Sequence, residues 1–284
     1  MDRLHGYVYG RWPYFYIGIG TGNHPLNRIL GPALRWLAYK LLPELNSKNA
    51  LAEGYHGKVV PLEAATQLIT VNEDVRLTDL EKIIPYTRAR DIILQNPDHL
   101  AVIDCPCRAV RANPCLPLDV CLIVGEPFAS FIVEHHPQRA RRITPEEGIE
   151  LLQAEHNRGH VHHAFFKDAM LNRFYTICNC CRCCCGAINA HQNGTPMIAS
   201  SGYLCQTNSN LCVGCETCID FCQFGALSIK NGHAASDQDS CMGCGVCVSK
   251  CPQGALSLLR EPSKGEPLEI RRLITDANNT ACSD

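Results

Sequence analysis

The sequence has no uncharged apolar run of about 18 residues, the length expected of a membrane-spanning helix, so we expect no transmembrane segment. It also lacks an excess of positive charge. Its 26 Lys and Arg residues are offset by 28 Asp and Glu residues, for a net charge of −2, which argues against nucleic acid as a partner. The first residues do not follow the basic-then-apolar order of a secretory signal. Only 19% of the residues are charged and 46% are apolar, which predicts a globular protein with a core.

A standard nucleotide-binding loop is missing as well. Gly18, Gly20 and Gly22 are spaced differently from the GxGxxG motif of dinucleotide-binding folds. Residues 7–16 are instead rich in aromatic side chains, and residues 24–43 repeat apolar side chains at helical spacing, with basic residues off that stripe. We expect a helical arm over residues 1–75. Its amphipathic helix would pack in the core, contact a partner such as a second copy of the chain, or lie peripherally on a membrane.

Cysteine, in contrast, is abundant, at 20 of 284 positions. A chain so rich in cysteine is either a disulfide scaffold or a metal protein. Disulfide scaffolds are typically small and secreted. Here many cysteines are adjacent or two to three positions apart, which suits thiolates that converge on one metal centre. We therefore expect metal or cluster binding in a reducing compartment, most simply the cytoplasm.

The last third of the chain contains one cysteine motif twice. In each copy, three cysteines are spaced three residues apart and a fourth follows four residues later. The first copy contains Cys212, Cys215, Cys218 and Cys222, and the second contains Cys241, Cys244, Cys247 and Cys251. A Gly-Ala-Leu-Ser sequence follows both copies. The segment is therefore an internal duplication, predicted to repeat a cysteine loop, a short helix and a strand.

This spacing suits iron–sulfur cubes. Three cysteines at i, i+3 and i+6 let a tight loop wrap three corners of a cube, with backbone amides directed at the sulfurs. The fourth cysteine, which we expect to begin a helix, lies too far away for the same cube and binds the other one. We assign one [4Fe–4S] cluster to Cys212, Cys215, Cys218 and Cys251, and a second to Cys241, Cys244, Cys247 and Cys222.

Through these two motifs, residues 205–260 resemble a bacterial ferredoxin with two [4Fe–4S] clusters. The resemblance implies a small α+β ferredoxin-like domain that transfers single electrons. One position departs from the family pattern, because Gln223 follows Cys222 where the family usually has the proline that stands here as Pro252. A zinc ribbon would instead need two CxxC pairs, so zinc is disfavoured in this segment.

Ten more cysteines precede this segment in two sets. The other two, Cys205 and Cys282, belong to neither the sets nor the doubled motif. We take all ten as candidate metal ligands: Cys105, Cys107, Cys115 and Cys121 in the first set, and Cys178, Cys180, Cys181, Cys183, Cys184 and Cys185 in the second. Ten thiols allow two cubes with two thiols to spare, or two clusters with five ligands each. The second arrangement resembles the non-cubane clusters of heterodisulfide reductases, although their CCG spacing is absent. Single zinc ions and reduced buried thiols are the alternatives.

Both sets follow predicted strands in an alternating strand and helix pattern. Strands are expected at residues 99–104, 120–124, 160–166 and 173–177, and a helix from Thr144 to about Asn157. Ligand sites in open α/β sheets usually form at the carboxyl ends of strands, where these cysteines would lie. The segment from about 80 to 260 also resembles uncharacterised proteins described as 4Fe–4S-binding, which implies no reaction.

We thus predict an α/β (or α+β) cysteine-rich domain at residues 76–200 and a two-cluster ferredoxin domain at 201–260. The N-terminal helical arm covers 1–75 and a tail covers 261–284. The leading hypothesis is an electron-transfer protein or subunit with two [4Fe–4S] clusters, one or two further clusters, and a redox partner or larger complex. An oxidoreductase is the alternative, with proton handling by His160, His162 and Asp104. A metal or cluster trafficking protein is the third hypothesis.

Overall fold

A computed structural model of the protein describes residues 52–78 and 80–281. The predicted aromatic stretch, the glycine loop and the amphipathic helix of residues 24–43 lie outside these residues, and so does Cys282. Within the described ranges, no helix combines the length and the apolar character needed to cross a membrane.

We call the part of the described chain that forms the eight-stranded sheet the sheet domain, and the part with the doubled cysteine motif the ferredoxin domain, after its resemblance. The strands are β1 (Tyr55–Val60), β2 (Val75–Leu77), β3 (Ile92–Asp104), β4 (Asp119–Glu126), β5 (Ala140–Ile143), β6 (Val161–Lys167), β7 (Arg173–Cys180), β8 (Ile198–Ala199), β9 (Tyr203–Thr207), β10 (Leu227–Lys230), β11 (His233–Ser236) and β12 (Leu256–Arg260). The α-helices are α1 (Leu62–Ile69), α2 (Pro106–Ala109), α3 (Phe128–His135), α4 (Pro145–Asn157), α5 (Gly186–Gln192), α6 (Thr217–Asp220), α7 (Val246–Lys250) and α8 (Ile270–Ala281). Short 3₁₀ helices cover Asp168–Met170 and Pro262–Lys264.

Strands β1 to β8 form one sheet in the order β2-β3-β4-β7-β6-β1-β8, and β5 also pairs with β3. Neighbouring strands run antiparallel except for the parallel pair β1 and β8. The sheet and helices are mixed as expected, but the antiparallel pairing gives the α+β form of the prediction rather than an open parallel sheet. Strand periodicity shows which residues are buried and carries no information on strand direction.

Local sequence explains the best-predicted elements. The hydroxyl of Thr144 accepts a hydrogen bond of 3.3 Å from the Glu147 N–H, and Pro145 occupies the first turn, so α4 begins where expected. The helix stops before Gly159, whose φ of +83° suits glycine. Helices α1 and α4 pack on each other and on strands β3 and β6, where Leu152 and Phe166 are fully buried.

The ferredoxin domain has its own small core. Strand β9 pairs antiparallel with β12, and β10 pairs antiparallel with β11. Leu204, Leu227 and Leu256 are buried between these ribbons together with cluster-loop cysteines. In each half the short helix lies before the fourth cysteine of the motif rather than after it, because α6 ends at Asp220 and α7 ends at Lys250. The expected helix start at that cysteine is therefore wrong.

The sheet domain extends beyond the expected boundaries at both ends. Strand β1 and helix α1 fall within the segment 1–75, yet both are part of the sheet domain, so residues 55–69 do not belong to an arm. In the C-terminal segment, Leu268 and Ile270 are buried in the same core, and the Lys58 ammonium donates to the Glu266 carbonyl over 2.8 Å. The amphipathic spacing of α8 explains its docking.

Candidate metal centres

The sheet brings the two middle cysteine sets to one edge. Strands β3 and β7 both run antiparallel to β4, which lies between them. Cys105 directly follows the end of β3, Cys121 lies near the start of β4, and Cys180 ends β7, so all three lie at the same end of these strands. Cys121 lies directly opposite Cys178 in the register of β4 and β7. In space the ten thiols form one group of four and one group of six, and each group contains cysteines from both sequence sets.

The first group, which we call the four-thiol site, consists of Cys115, Cys181, Cys183 and Cys184. The sulfur of Cys183 lies 3.1 Å from that of Cys115, 3.3 Å from that of Cys181 and 3.7 Å from that of Cys184. All four sulfurs lie within 4.8 Å of one another. Cys183 is exposed, Cys115 is half-buried, and the other two are buried.

The second group, the six-thiol string, consists of Cys105, Cys107, Cys121, Cys178, Cys180 and Cys185. Side-chain contacts link its members in a row, from Cys178 through Cys121, Cys105, Cys107 and Cys185 to Cys180. The sulfurs of Cys180 and Cys185 lie 3.2 Å apart. Thiol hydrogen bonds from Cys107 and Cys121 hold the pKa of Cys105 well below its usual value, so this string favours a thiolate at Cys105.

A buried cation lies beside the string. Arg108 is 1% exposed and forms an ion pair of 2.6 Å with Glu155, which is fully buried. It also donates to the carbonyl oxygens of Pro117 and Asn179, over 2.6 and 3.0 Å. A fixed positive charge here opposes the negative charge of thiolate ligands. Neither Arg108 nor Glu155 was predicted from the sequence, although the position of Arg108 directly after the Cys-Pro-Cys loop was an available signal.

The three residues predicted to handle protons do not form one site. His160 Nδ1 lies 2.7 Å from Glu155 Oε2, and His162 Nδ1 lies 2.6 Å from Asn179 Oδ1. Burial lowers the pKa of His162 to about 4, so it is neutral at ordinary pH. Asp104 ends β3, whereas His162 lies on β6, and β4 and β7 lie between these strands. Three strand spacings separate β3 from β6 by about 14 Å.

The ferredoxin thiols surround two cavities. Cys212, Cys215, Cys218 and Cys251 line one of about 330 Å³, and Cys222, Cys241, Cys244 and Cys247 line another of about 360 Å³, each volume including the part that opens to solvent. We call these the first and the second cavity. The backbone N–H groups of Ala226 and Ala255 donate to the sulfurs of Cys222 and Cys251, over 3.2 and 3.3 Å. A pocket with four thiols and N–H donors directed at sulfur fits a [4Fe–4S] cluster.

The second cavity has a fifth thiol that the sequence motifs left unassigned. Cys205 lies on β9 and lines this cavity, with its sulfur 3.5 Å from that of Cys247. No spacing rule signals this residue. Its position follows from the pairing of β9 with β12, which places Cys205 opposite Leu258 in the cavity wall.

Gln223, the departure from the ferredoxin pattern, joins the two domains. Its side-chain oxygen accepts a hydrogen bond of 2.9 Å from the N–H of Arg182, which stands between two cysteines of the four-thiol site. Its amide nitrogen donates to the Gly159 carbonyl over 2.8 Å. Beside it, the ring of Phe221 packs on Gly159, where even one added methyl carbon would lie 2.5 Å from the ring. Lys250 donates to the Asn157 carbonyl over 2.7 Å.

Comparisons with known proteins agree with the C-terminal assignment. Residues 211–264 match the family described as 4Fe-4S dicluster domain, which confirms the resemblance of this segment to two-cluster ferredoxins. The chain is also 61% identical over 28 residues to one polypeptide of the H(2):CoB-CoM heterodisulfide,ferredoxin reductase from Methanothermobacter thermautotrophicus and, equally, to its counterpart from Methanothermobacter marburgensis. That match covers 10% of this chain and 4% of each relative.

Proposed function

We propose that this protein is an iron–sulfur electron-transfer protein or subunit. It would pass single electrons between two ferredoxin-type [4Fe–4S] clusters, further metal centres of the sheet domain and a protein redox partner. The observation that supports this most strongly is the pair of cavities, each lined by the four cysteines that the doubled motif predicts for one cluster. Clusters bound there would supply one-electron chemistry with little rearrangement.

The surrounding residues suit that role. The N–H groups of Ala226, Ala234 and Ala255 each donate to a cluster-loop sulfur over 3.2 to 3.3 Å, and such donors stabilise added negative charge. Gln223 connects the turn after Cys222 to the loop of the four-thiol site through one hydrogen bond. The turn that follows one thiol of the second cavity is therefore in direct contact with the loop of the four-thiol site, although the two residues are 41 positions apart in sequence.

The first cavity is the proposed contact point for the partner. Leu211 and Val213, which flank Cys212, are 48% and 65% exposed, and Cys215 is exposed as well. Exposed apolar side chains beside a redox centre suit brief contact with another electron carrier. The partial relatives carry ferredoxin and heterodisulfide in their name, and we take the partner of this chain to be another one-electron carrier or a larger oxidoreductase. A reducing compartment such as the cytoplasm would keep the thiols free.

The test is iron and acid-labile sulfide per chain, measured with the paramagnetic resonance spectrum of anaerobically purified protein. Two filled cavities require about eight iron and eight sulfide, and clusters in the sheet domain raise both numbers. A reducible signal from interacting clusters is expected. Protein that folds with zinc alone, without sulfide, would refute the proposal.

Matched variants test the ligand assignment. Cys222→Ala is expected to lose about four iron and four sulfide, whereas Cys205→Ala, which removes a thiol from the same cavity, retains them. The opposite result would show that Cys205 is the ligand and that the assignment is wrong.

A second candidate function is favoured by the six-thiol string. Six thiols exceed the four that one cube takes, so a larger or incompletely ligated cluster there would give an oxidoreductase with a reactive centre. Addition of carbon monoxide or cyanide to the reduced protein separates the two functions. A spectral change that disappears in Cys107→Ala would support the enzyme, and an unresponsive spectrum would support electron transfer alone.

A further inference from the structure

We infer that the four-thiol site binds one tetrahedral metal ion, zinc or iron, rather than a cubane cluster. A single ion at a metal–sulfur distance of about 2.3 Å places tetrahedral ligands about 3.8 Å from one another. Four of the sulfur separations within this site, 3.1, 3.3, 3.6 and 3.7 Å, approach that value from below. All pairs lie within 4.8 Å.

The ferredoxin cavities provide an internal comparison. In a cube each thiolate binds its own iron at a separate corner, so the four sulfurs surround the cluster at wider spacing. Within the described ranges, no three of the eight ferredoxin cysteines come within 4.8 Å of one another. The same holds for the six-thiol string, in which each thiol contacts only its neighbours in the row. The four-thiol site thus has the geometry of a single-ion site in a chain whose cube-type cavities are built differently.

The fold holds these four thiols in place from several directions. Three of them come from one turn after β7, in which the Cys185 N–H donates to the Cys181 carbonyl over 2.9 Å. The fourth, Cys115, comes from the loop between β3 and β4. Arg111 donates to the Cys184 carbonyl over 3.0 Å, and the side-chain amide of Asn189 donates to the Arg182 carbonyl over 3.2 Å. Such a preformed set of four thiolates selects zinc or iron.

The two ions would have different roles. Zinc has no redox chemistry, and its role would be structural. By binding four thiolates it would hold the turn that contacts Gln223 and thereby stabilise the contact between the two domains. Iron in the same ligand set would change its charge by one electron beside the second cavity. The inference goes beyond the proposed electron transfer, because a structural zinc site would serve any function of this chain.

The experiment uses full-length protein purified anaerobically, with iron, zinc and acid-labile sulfide counted per chain. Cys183→Ala removes an exposed thiol and so leaves the core intact. We expect it to lose one metal atom and no sulfide. Loss of one zinc identifies the structural ion, and loss of one iron identifies the redox ion. Cys282→Ala, at a cysteine that belongs to none of the cysteine motifs, serves as the control and should lose neither.

Other outcomes would overturn the inference. Loss of about four iron together with four sulfide in Cys183→Ala would mean a cube, and unchanged metal content would mean free thiols or a disulfide. Should the variant not accumulate, X-ray absorption of wild-type protein at the zinc edge gives the answer for zinc, with four sulfurs at about 2.3 Å expected. For iron, the corresponding measurement is the high-spin ferric signal in the paramagnetic resonance spectrum of the air-exposed protein. If wild-type protein gives neither the zinc signal nor the ferric signal, the single-ion inference is contradicted. The iron and sulfide of the ferredoxin cavities would then still support electron transfer.

Discussion

Two glycines in the second half of the duplication allow a sharp test of the ferredoxin packing. Gly243 and Gly254 both have left-handed backbone, with φ of +64° and +59°. A Cβ on Gly243 would overlap the carbonyl oxygen of Tyr203 and the hydroxyl of Ser201, whereas a Cβ on Gly254 would meet no atom within 4 Å. Alanine in this conformation costs about 1–2 kcal/mol at either position. Only Gly243→Ala must also displace strand β9, which is a backbone shift rather than a side-chain adjustment.

We therefore expect Gly254→Ala to lower the free energy of unfolding by about 1 kcal/mol, once the smaller chain entropy of unfolded alanine is included. Gly243→Ala should lower the free energy of unfolding by more than about 4 kcal/mol, because its added Cβ would collide with backbone atoms in a packed core. The assay is cluster release to a chelator, followed by visible absorbance during a urea titration. Since Gly243 lies between Cys241 and Cys244, two cysteines that line the second cavity, its variant should release the iron of that cavity first, which is half of the ferredoxin iron. Equal losses in the two variants would refute this reasoning.

Three further changes test other contacts. Gln223→Pro restores the family residue and removes the hydrogen bond to the Arg182 N–H, so exchange of that amide should rise roughly 2- to 12-fold by mass spectrometry; unchanged exchange would argue against the contact. Burial lowers the pKa of His56 to about 4, so the unfolded chain binds the proton first and stability falls as pH drops from 6.5 towards 4. Between pH 7 and pH 5, urea titrations should show that His56→Phe loses about 2 kcal/mol less unfolding free energy than the unaltered protein, because other buried histidines such as His162 contribute to the loss in both; equal losses in the two proteins would contradict this. Arg108→Met leaves the Glu155 carboxylate without its buried partner, with the half-exposed Arg158 as the remaining arginine beside it, and should cost up to about 3–5 kcal/mol in equilibrium unfolding, partly recovered by adding Glu155→Gln; a cost below about 1 kcal/mol would show that Arg158 alone compensates the carboxylate.

Local patterns in the sequence predicted the features that depend on neighbouring residues. The doubled cysteine spacing predicted which thiols share a cavity, because loop reach and the duplication determine it. The cap at Thr144 and the apolar runs of β3, β4, β6 and β7 predicted those elements to within a few residues, except that β3 begins earlier, at Ile92. Such signals arise from hydrogen bonds and burial within a few residues of the chain.

Features that depend on tertiary structure could not be predicted in this way. Strand direction was one, and the division of the middle thiols was another, because Cys115 joins the turn after β7 while its sequence neighbours join the six-thiol string. The ion pair of Arg108 and Glu155 joins positions 47 residues apart. The contacts of Gln223 could not be predicted either, since its partners Arg182 and Gly159 lie 41 and 64 residues away in the sequence.

The contact at Gln223 has a consequence for how the duplicated domain works. In a symmetric ferredoxin the two halves are equivalent by descent, but here Pro252 stands in one turn and Gln223 in the other, where its side chain contacts the sheet domain. Exchange of the halves would preserve every thiol and still remove these hydrogen bonds. The second cavity therefore lies on the side of the domain that contacts the sheet, and the first cavity, flanked by the exposed Leu211 and Val213, lies at the other cluster position. Under the proposed function, we expect a partner to exchange electrons at the first cavity, so that the position of Gln223 sets the direction of electron transfer.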